Sequence, residues 1–134
     1  MNLTEWTKTL LQSRDAIRQE ITSFEDTGND FIVHKKTGDT RFLIRPEFTS
    51  PQELTAHANE ALSLVLLNTK KNLNAVIAHW QELASIKQLC IYFVNPQTND
   101  KWLLYPHTHN QITEKTALRK GLETMFAEVP QVSL

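Results

Sequence analysis

Apolar residues in the opening stretch return at three- and four-residue steps or their multiples: Leu3, Trp6, Leu10, Ile17, Ile21 and Phe24, with Lys8, Arg14, Asp15, Arg18 and Gln19 filling the other faces. That period predicts an amphipathic helix over about residues 3–25. Asn2 and Glu5 stand at capping-box spacing, and Gly28 supplies a stop. From Asp30 the period changes to two. The stretch DFIVHKKTGDTRFLIRPEF reads as a β-hairpin around a KKTGDT tip, with Phe42 and Ile44 on one face, Arg41, Leu43 and Arg45 on the other, and Pro46 as its end.

Ser50, Pro51 and Glu53 combine an N-cap, a proline at the first helical position and a capping-box glutamate, and so predict a helix carrying Leu54, Ala58, Ala61, Leu62, Val65 and Leu66 on one side. Its tail, LSLVLLN, is apolar all round and fits helix or strand; the leucines favour helix. After TKKN, the residues Leu73, Val76, Ile77, Trp80, Leu83 and Ala84 restore helical spacing. LCIYFV, NPQTND and KWLLY then predict a second hairpin closed by Pro106, whose first strand is apolar at every position, as a strand covered on both faces is. A last helix starts near Thr113, turns Ala117, Leu118, Leu122, Met125 and Phe126 inward, and stops before Pro130.

Sliding the chain by sixty positions sets RFLIRP over KWLLYP, Phe31–Val33 over Ile91–Phe93, and Ala58, Ala61, Leu62, Val65 and Leu66 over Leu118, Gly121, Leu122, Met125 and Phe126. The expectation is an α+β fold of two helix-hairpin-helix (αββα) units, about 1–68 and 69–134, related by internal duplication and sharing a four-stranded antiparallel sheet packed with about four helices. In that arrangement Leu43, Leu103 and Tyr105 share a face opposite Phe42, Ile44, Trp102 and Leu104. An apolar face left open would then be an interaction surface, and a homodimer or another protein would cover it.

The totals narrow the chemistry. At 134 residues a single domain can bury a sufficient core without disulfides, and the formal charge of -1 gives no global attraction to phosphate backbones or anionic lipid. Cys90 is the one cysteine and lies in the apolar run LCIYFV, which agrees with a reducing compartment. The opening MNLTEWTKTLLQSRD lacks the unbroken apolar core of a signal peptide, so the expected location is cytoplasmic with no membrane partner.

The first functional expectation is therefore a small soluble binding or regulatory protein that acts through protein contact. Against it stands PHTHNQ, where His107 and His109 at i and i+2 would point to one side of an extended segment and share a divalent metal, as a metal-dependent hydrolase or nuclease requires. A third ligand at diagnostic spacing is missing from the sequence. Nothing matches a nucleophile elbow, a zinc-protease helix or a phosphate-cradling glycine loop, so no catalytic residue is identified. The basic first hairpin, with Lys35, Lys36, Arg41 and Arg45, is the candidate for contact with anions or nucleic acid.

Overall fold

The computed structural model describes residues 2–133. Twelve elements follow one another: α1 (Leu3–Arg14), β1 (Ile21–Thr27), β2 (Asp30–Lys35), β3 (Gly38–Ile44), α2 (Gln52–Thr55), β4 (Leu62–Leu67), α3 (Lys70–Ala78), α4 (Trp80–Ala84), β5 (Leu89–Asn95), β6 (Asp100–Leu104), α5 (Pro106–Ile112) and α6 (Lys115–Ala127). All six strands join one mixed sheet in the order β1-β2-β3-β4-β5-β6. The outer pairs β1/β2, β2/β3 and β5/β6 are antiparallel, whereas β3, β4 and β5 run parallel. The expected four-stranded antiparallel sheet is thus incorrect on both count and direction.

Two misread segments account for the difference. The first helix starts as expected, with the Glu5 amide donating to Asn2 Oδ1 at 2.8 Å, but it ends at Arg14 rather than near residue 25. Ile21 and Phe24, three residues apart, mimic a helical step because the pairing of β1 with β2 shifts register between Ile21 and Ser23. A bulge adds one residue to a period of two, so both side chains face the same core. Gly28 does not stop a helix: with φ of +84° it makes the turn from β1 to β2, a conformation only glycine adopts freely.

In the second segment, the helix expected from Ser50 shrinks to four residues, and LSLVLL is the central strand β4. Glu53, read as a capping glutamate, instead accepts from Arg45 Nε at 2.7 Å and from the Thr49 hydroxyl at 3.0 Å. A strand flanked by parallel neighbours and covered on both faces is apolar on both sides, here with only the buried Ser63 as an exception, so its sequence carries no period to recognise.

Helices cover both sides of the sheet. Trp6 and Leu11 of α1 pack with Phe31, Val33, Phe42, Ile44, Val65 and Tyr92 on one face. On the other, Leu73 and Val76 of α3, Trp80 of α4 and Leu122 and Phe126 of α6 pack with Leu64, Leu66, Ile91, Phe93 and Trp102. The premise for a covering subunit, an open apolar face, therefore falls away. The sixty-residue match does not survive either: Phe31, Val33 and Phe42 lie under α1, while their partners Ile91, Phe93 and Trp102 lie in the opposite core. Leu62–Leu66 is strand, and the matched 122–126 is helix. Among the described residues no helix is long and apolar enough to cross a membrane.

Candidate anion-binding site

Where α1 ends, the chain reverses within a few residues to enter β1. The Asp15 carboxylate accepts from the Glu20 and Ile21 amides, at 2.9 Å each, while the Gln19 amide donates to the Asp15 carbonyl at 2.7 Å with Gln19 at a φ of +52°. These backbone donors, Ile21 first and Glu20 second, hold the Asp15 carboxyl below its usual range, and the Lys35 and Lys36 charges act in the same direction. The Lys36 amide donates to the Glu20 carbonyl at 2.9 Å. The C-terminus of α1, the start of β1 and the end of β2 are so drawn together at one corner.

Two adjoining clefts open there. The smaller, of about 350 Å³, is lined by Leu11, Arg14, Asp15, Arg18, Glu20, Ile21, Lys35 and Tyr92. The broader, of about 630 Å³, shares Asp15 and Ile21 and adds Lys36, Phe24 and the polar side chains of Gln12, Gln19, Thr22 and Ser23. Burial pushes the Tyr92 phenol up to about 12, with the neighbouring Arg14 charge and hydrogen bond pulling the other way. Ile17, in the loop between Ala16 and Arg18, is 95 % exposed.

The corner gathers four basic side chains that lack carboxylate partners; Lys87, Lys101 and Lys120 are also without an ion pair but line neither cleft. Other basic side chains pair: Lys8 with Glu5 and Asp26, Lys70 and Arg119 with Glu123, and Lys71 with Glu47. Arg41 lies 3.1 Å from Glu60. Arg45 grips Asp30 with two nitrogens, at 2.6 and 2.9 Å, and reaches Glu53 as well. Among the described residues Arg14, Arg18, Lys35 and Lys36 have no carboxylate oxygen within 4.0 Å.

The basic hairpin thus splits: Lys35 and Lys36 face the clefts, and Arg41 and Arg45 are neutralised at the opposite end of β3. Arg14 and Arg18 were not singled out by sequence reasoning, because an uninterrupted helix to residue 25 would have placed them on a solvated face. No glycine or proline between residues 15 and 20 marks the reversal.

The histidine pair takes a different form. His107 and His109 belong to α5, where residues two apart point about 200° away from each other. His107 Nδ1 lies 2.8 Å from the Ala84 carbonyl and His109 Nδ1 lies 3.2 Å from the Tyr105 carbonyl. Among the described residues no group of three or more metal-ligating side chains comes together. Pro106 opens this helix as its first residue, which is why the extended geometry expected after KWLLY does not occur.

The remaining sequence candidates also separate. Leu43 is buried in the core beneath α3, Leu103 packs at the α1-side core, and Tyr105 is 48 % exposed, so the three share no face. Burial pushes the Cys90 thiol up to about 11, leaving it protonated at neutral pH, although the Tyr105 hydroxyl bonds to it.

Outside the corner, His34 bridges Glu25 on β1 (2.9 Å from Nε2) and Asp39 on β3 (3.0 Å from Nδ1). The hydrogen bond to Glu25 first, and that to Asp39 second, raise the imidazole pKa above its ordinary 6.5. A group with a raised folded pKa stabilises fully below its unfolded value, and the contribution disappears as pH rises through the folded value. His34→Gln is therefore expected to lower the melting temperature more at pH 5.5 than at pH 8.5; equal losses at both pH values would refute the charged bridge.

A comparison of the chain with protein-family models, curated proteins and solved structures finds no match.

Proposed function

We propose that this protein is a binding module that holds a small anion of the phosphate type in the cleft at the end of α1. The observation that supports the reading is the convergence of Arg14, Arg18, Lys35 and Lys36 on one concave corner without carboxylate partners, in a chain whose formal charge is -1. The opposing terms are the Asp15 and Glu20 carboxylates and the negative end of the α1 dipole, worth roughly half a charge. Four cations outweigh them by about one and a half charges, which a single phosphate dianion neutralises. A nucleic-acid strand would need a longer track of cations. The metal-enzyme reading has the weaker support, since its two histidines bond to separate carbonyls.

Inorganic phosphate titrated at low ionic strength is expected to raise the melting temperature, with a gain of about 1.4 kcal/mol at ten times Kd. Arg18→Ala combined with Lys35→Ala removes the gain, and Arg41→Ala leaves it unchanged. Absence of any gain, or the same gain in the double variant, ends this reading. Binding of a single-stranded oligonucleotide with a logarithmic salt slope near about -3, the value for four phosphate contacts, would replace it with nucleic-acid recognition.

A further inference from the structure

We infer that the ends of β4 and β5 form a groove that reads the backbone of an extended peptide, filled by the chain's own segment 129–133 and open to a partner's segment of the same chemistry. After α6 the chain lies across the ends of both strands. Asn68 Nδ2 donates to the Val129 and Pro130 carbonyls at 3.0 and 3.2 Å, and Asn95 Nδ2 donates to the Pro130 carbonyl at 2.9 Å. The Val132 amide donates to the Asn68 carbonyl at 3.1 Å. Gln97 uses both ends of its side chain on one residue: Nε2 donates to the Ser133 carbonyl at 3.0 Å, and Oε1 accepts from the Ser133 amide at 2.9 Å. Every one of these bonds falls on main-chain atoms of the segment.

Two features favour recognition over a simple closing contact. First, the reading groups are fixed from behind: Asn68 Oδ1 accepts from Trp102 Nε1 at 2.9 Å, and Asn95 Oδ1 accepts from the Gln97 and Thr98 amides at 2.9 and 3.2 Å. Both asparagines are buried, so their Nδ2 donors keep their direction when the segment leaves, and an incoming chain need not order them. Second, the segment contributes few side chains. Pro130, Gln131 and Ser133 are exposed, and Val129 alone is buried, in the core on the α6 side. Main-chain hydrogen bonds then supply affinity, and one apolar side chain supplies the anchor, as in other extended-peptide sites. Pro130 fits because only its carbonyl is read, and proline has no N–H to satisfy. The partner is therefore an unstructured peptide with an apolar residue followed by proline, and segment 129–133 is the competitor that keeps the groove shut.

The probe is the acetylated and amidated peptide Val-Pro-Gln-Val-Ser, titrated into the full chain and followed in NMR spectra through the side-chain amide signals of Asn68 and Asn95 and the Trp102 indole signal. In the native sequence the attached segment competes at an effective concentration in the millimolar range, so half-saturation is expected only at millimolar peptide. Val132→Pro removes the amide that donates to the Asn68 carbonyl and leaves every groove side chain in place. The peptide is expected to bind this variant about tenfold more tightly, the effect of roughly one hydrogen bond lost by the competitor. Val129→Ser, which withdraws the competitor's apolar anchor, opens the groove by a second route. Gln97→Ala added to either variant is expected to weaken the peptide again, as is methylation of the nitrogen of the peptide's second valine. A peptide that shifts none of the three signals in either variant would overturn the inference, and so would equal affinity for the native chain and both variants. Hydrogen exchange at the Ser133 amide no faster than at β4 amides in either variant would also overturn it, because segment 129–133 would then be a fixed part of the fold.

Discussion

Phe93→Ala is expected to lower the unfolding free energy by about 4 kcal/mol, measured by urea denaturation with the slope of the transition unchanged. Phe93 is fully buried in β5, and its ring stacks on Trp102 of β6 with centroids 4.3 Å apart and planes inclined by 6°. The two residues face each other directly across the antiparallel pair. Truncation removes a large apolar area and leaves a hole that central strands, fixed on both sides by ladder hydrogen bonds, cannot close. Domains of this kind have only about 5–15 kcal/mol of net stability, so the loss is a large fraction of the whole. A loss below about 2 kcal/mol would show that the core between β5 and α6 collapses around the missing ring.

Asn68→Ala is expected to cost about 3 kcal/mol, although it removes few atoms. The side chain at the end of β4 is fully buried and uses both ends: Oδ1 accepts from Trp102 Nε1 at 2.9 Å, and Nδ2 donates to the Val129 and Pro130 carbonyls at 3.0 and 3.2 Å. Alanine strands a buried indole N–H and releases the segment after α6, which Asn95 holds at the same Pro130 carbonyl and Gln97 holds at Ser133. The indole contribution is separable. A double-mutant cycle with Trp102→Phe is expected to return a coupling of about 1 kcal/mol. Strict additivity of the two losses would mean that the amide and the indole do not interact.

The hairpins β2/β3 and β5/β6 were legible because short apolar runs flank turn residues: Gly38, at a φ of +137°, and Asn99, at +60°, make the reversals that KKTGDT and NPQTND suggested. The helix α6 was legible from its stripe. What failed did so for identifiable reasons. The bulge at the head of β1 gave two strand residues a helical spacing, and β4 offered no period at all. The duplication arose because a strand apolar at every position, β5, matches any partner register.

At the candidate site, Lys35 and Lys36 could be read as basic, but Arg14 and Arg18 become their neighbours only through the reversal at residues 15–20. Asp15 was recognised there as a polar helix residue. Its part in turning the chain depends on backbone amides that no side-chain pattern reveals.

The register shift in β1 also governs what this sheet does to other copies of itself. The edge strand β1 shows solvent Ser23, Glu25, Asp26 and Thr27, and the extra residue near Thr22 bends this rim away from a flat line. Unsatisfied rim amides are a template for runaway strand addition in crowded solution, and an irregular border works against it by misfit. At this one of the sheet's two edges, the bulge therefore makes pairing with a second copy of the strand unfavourable.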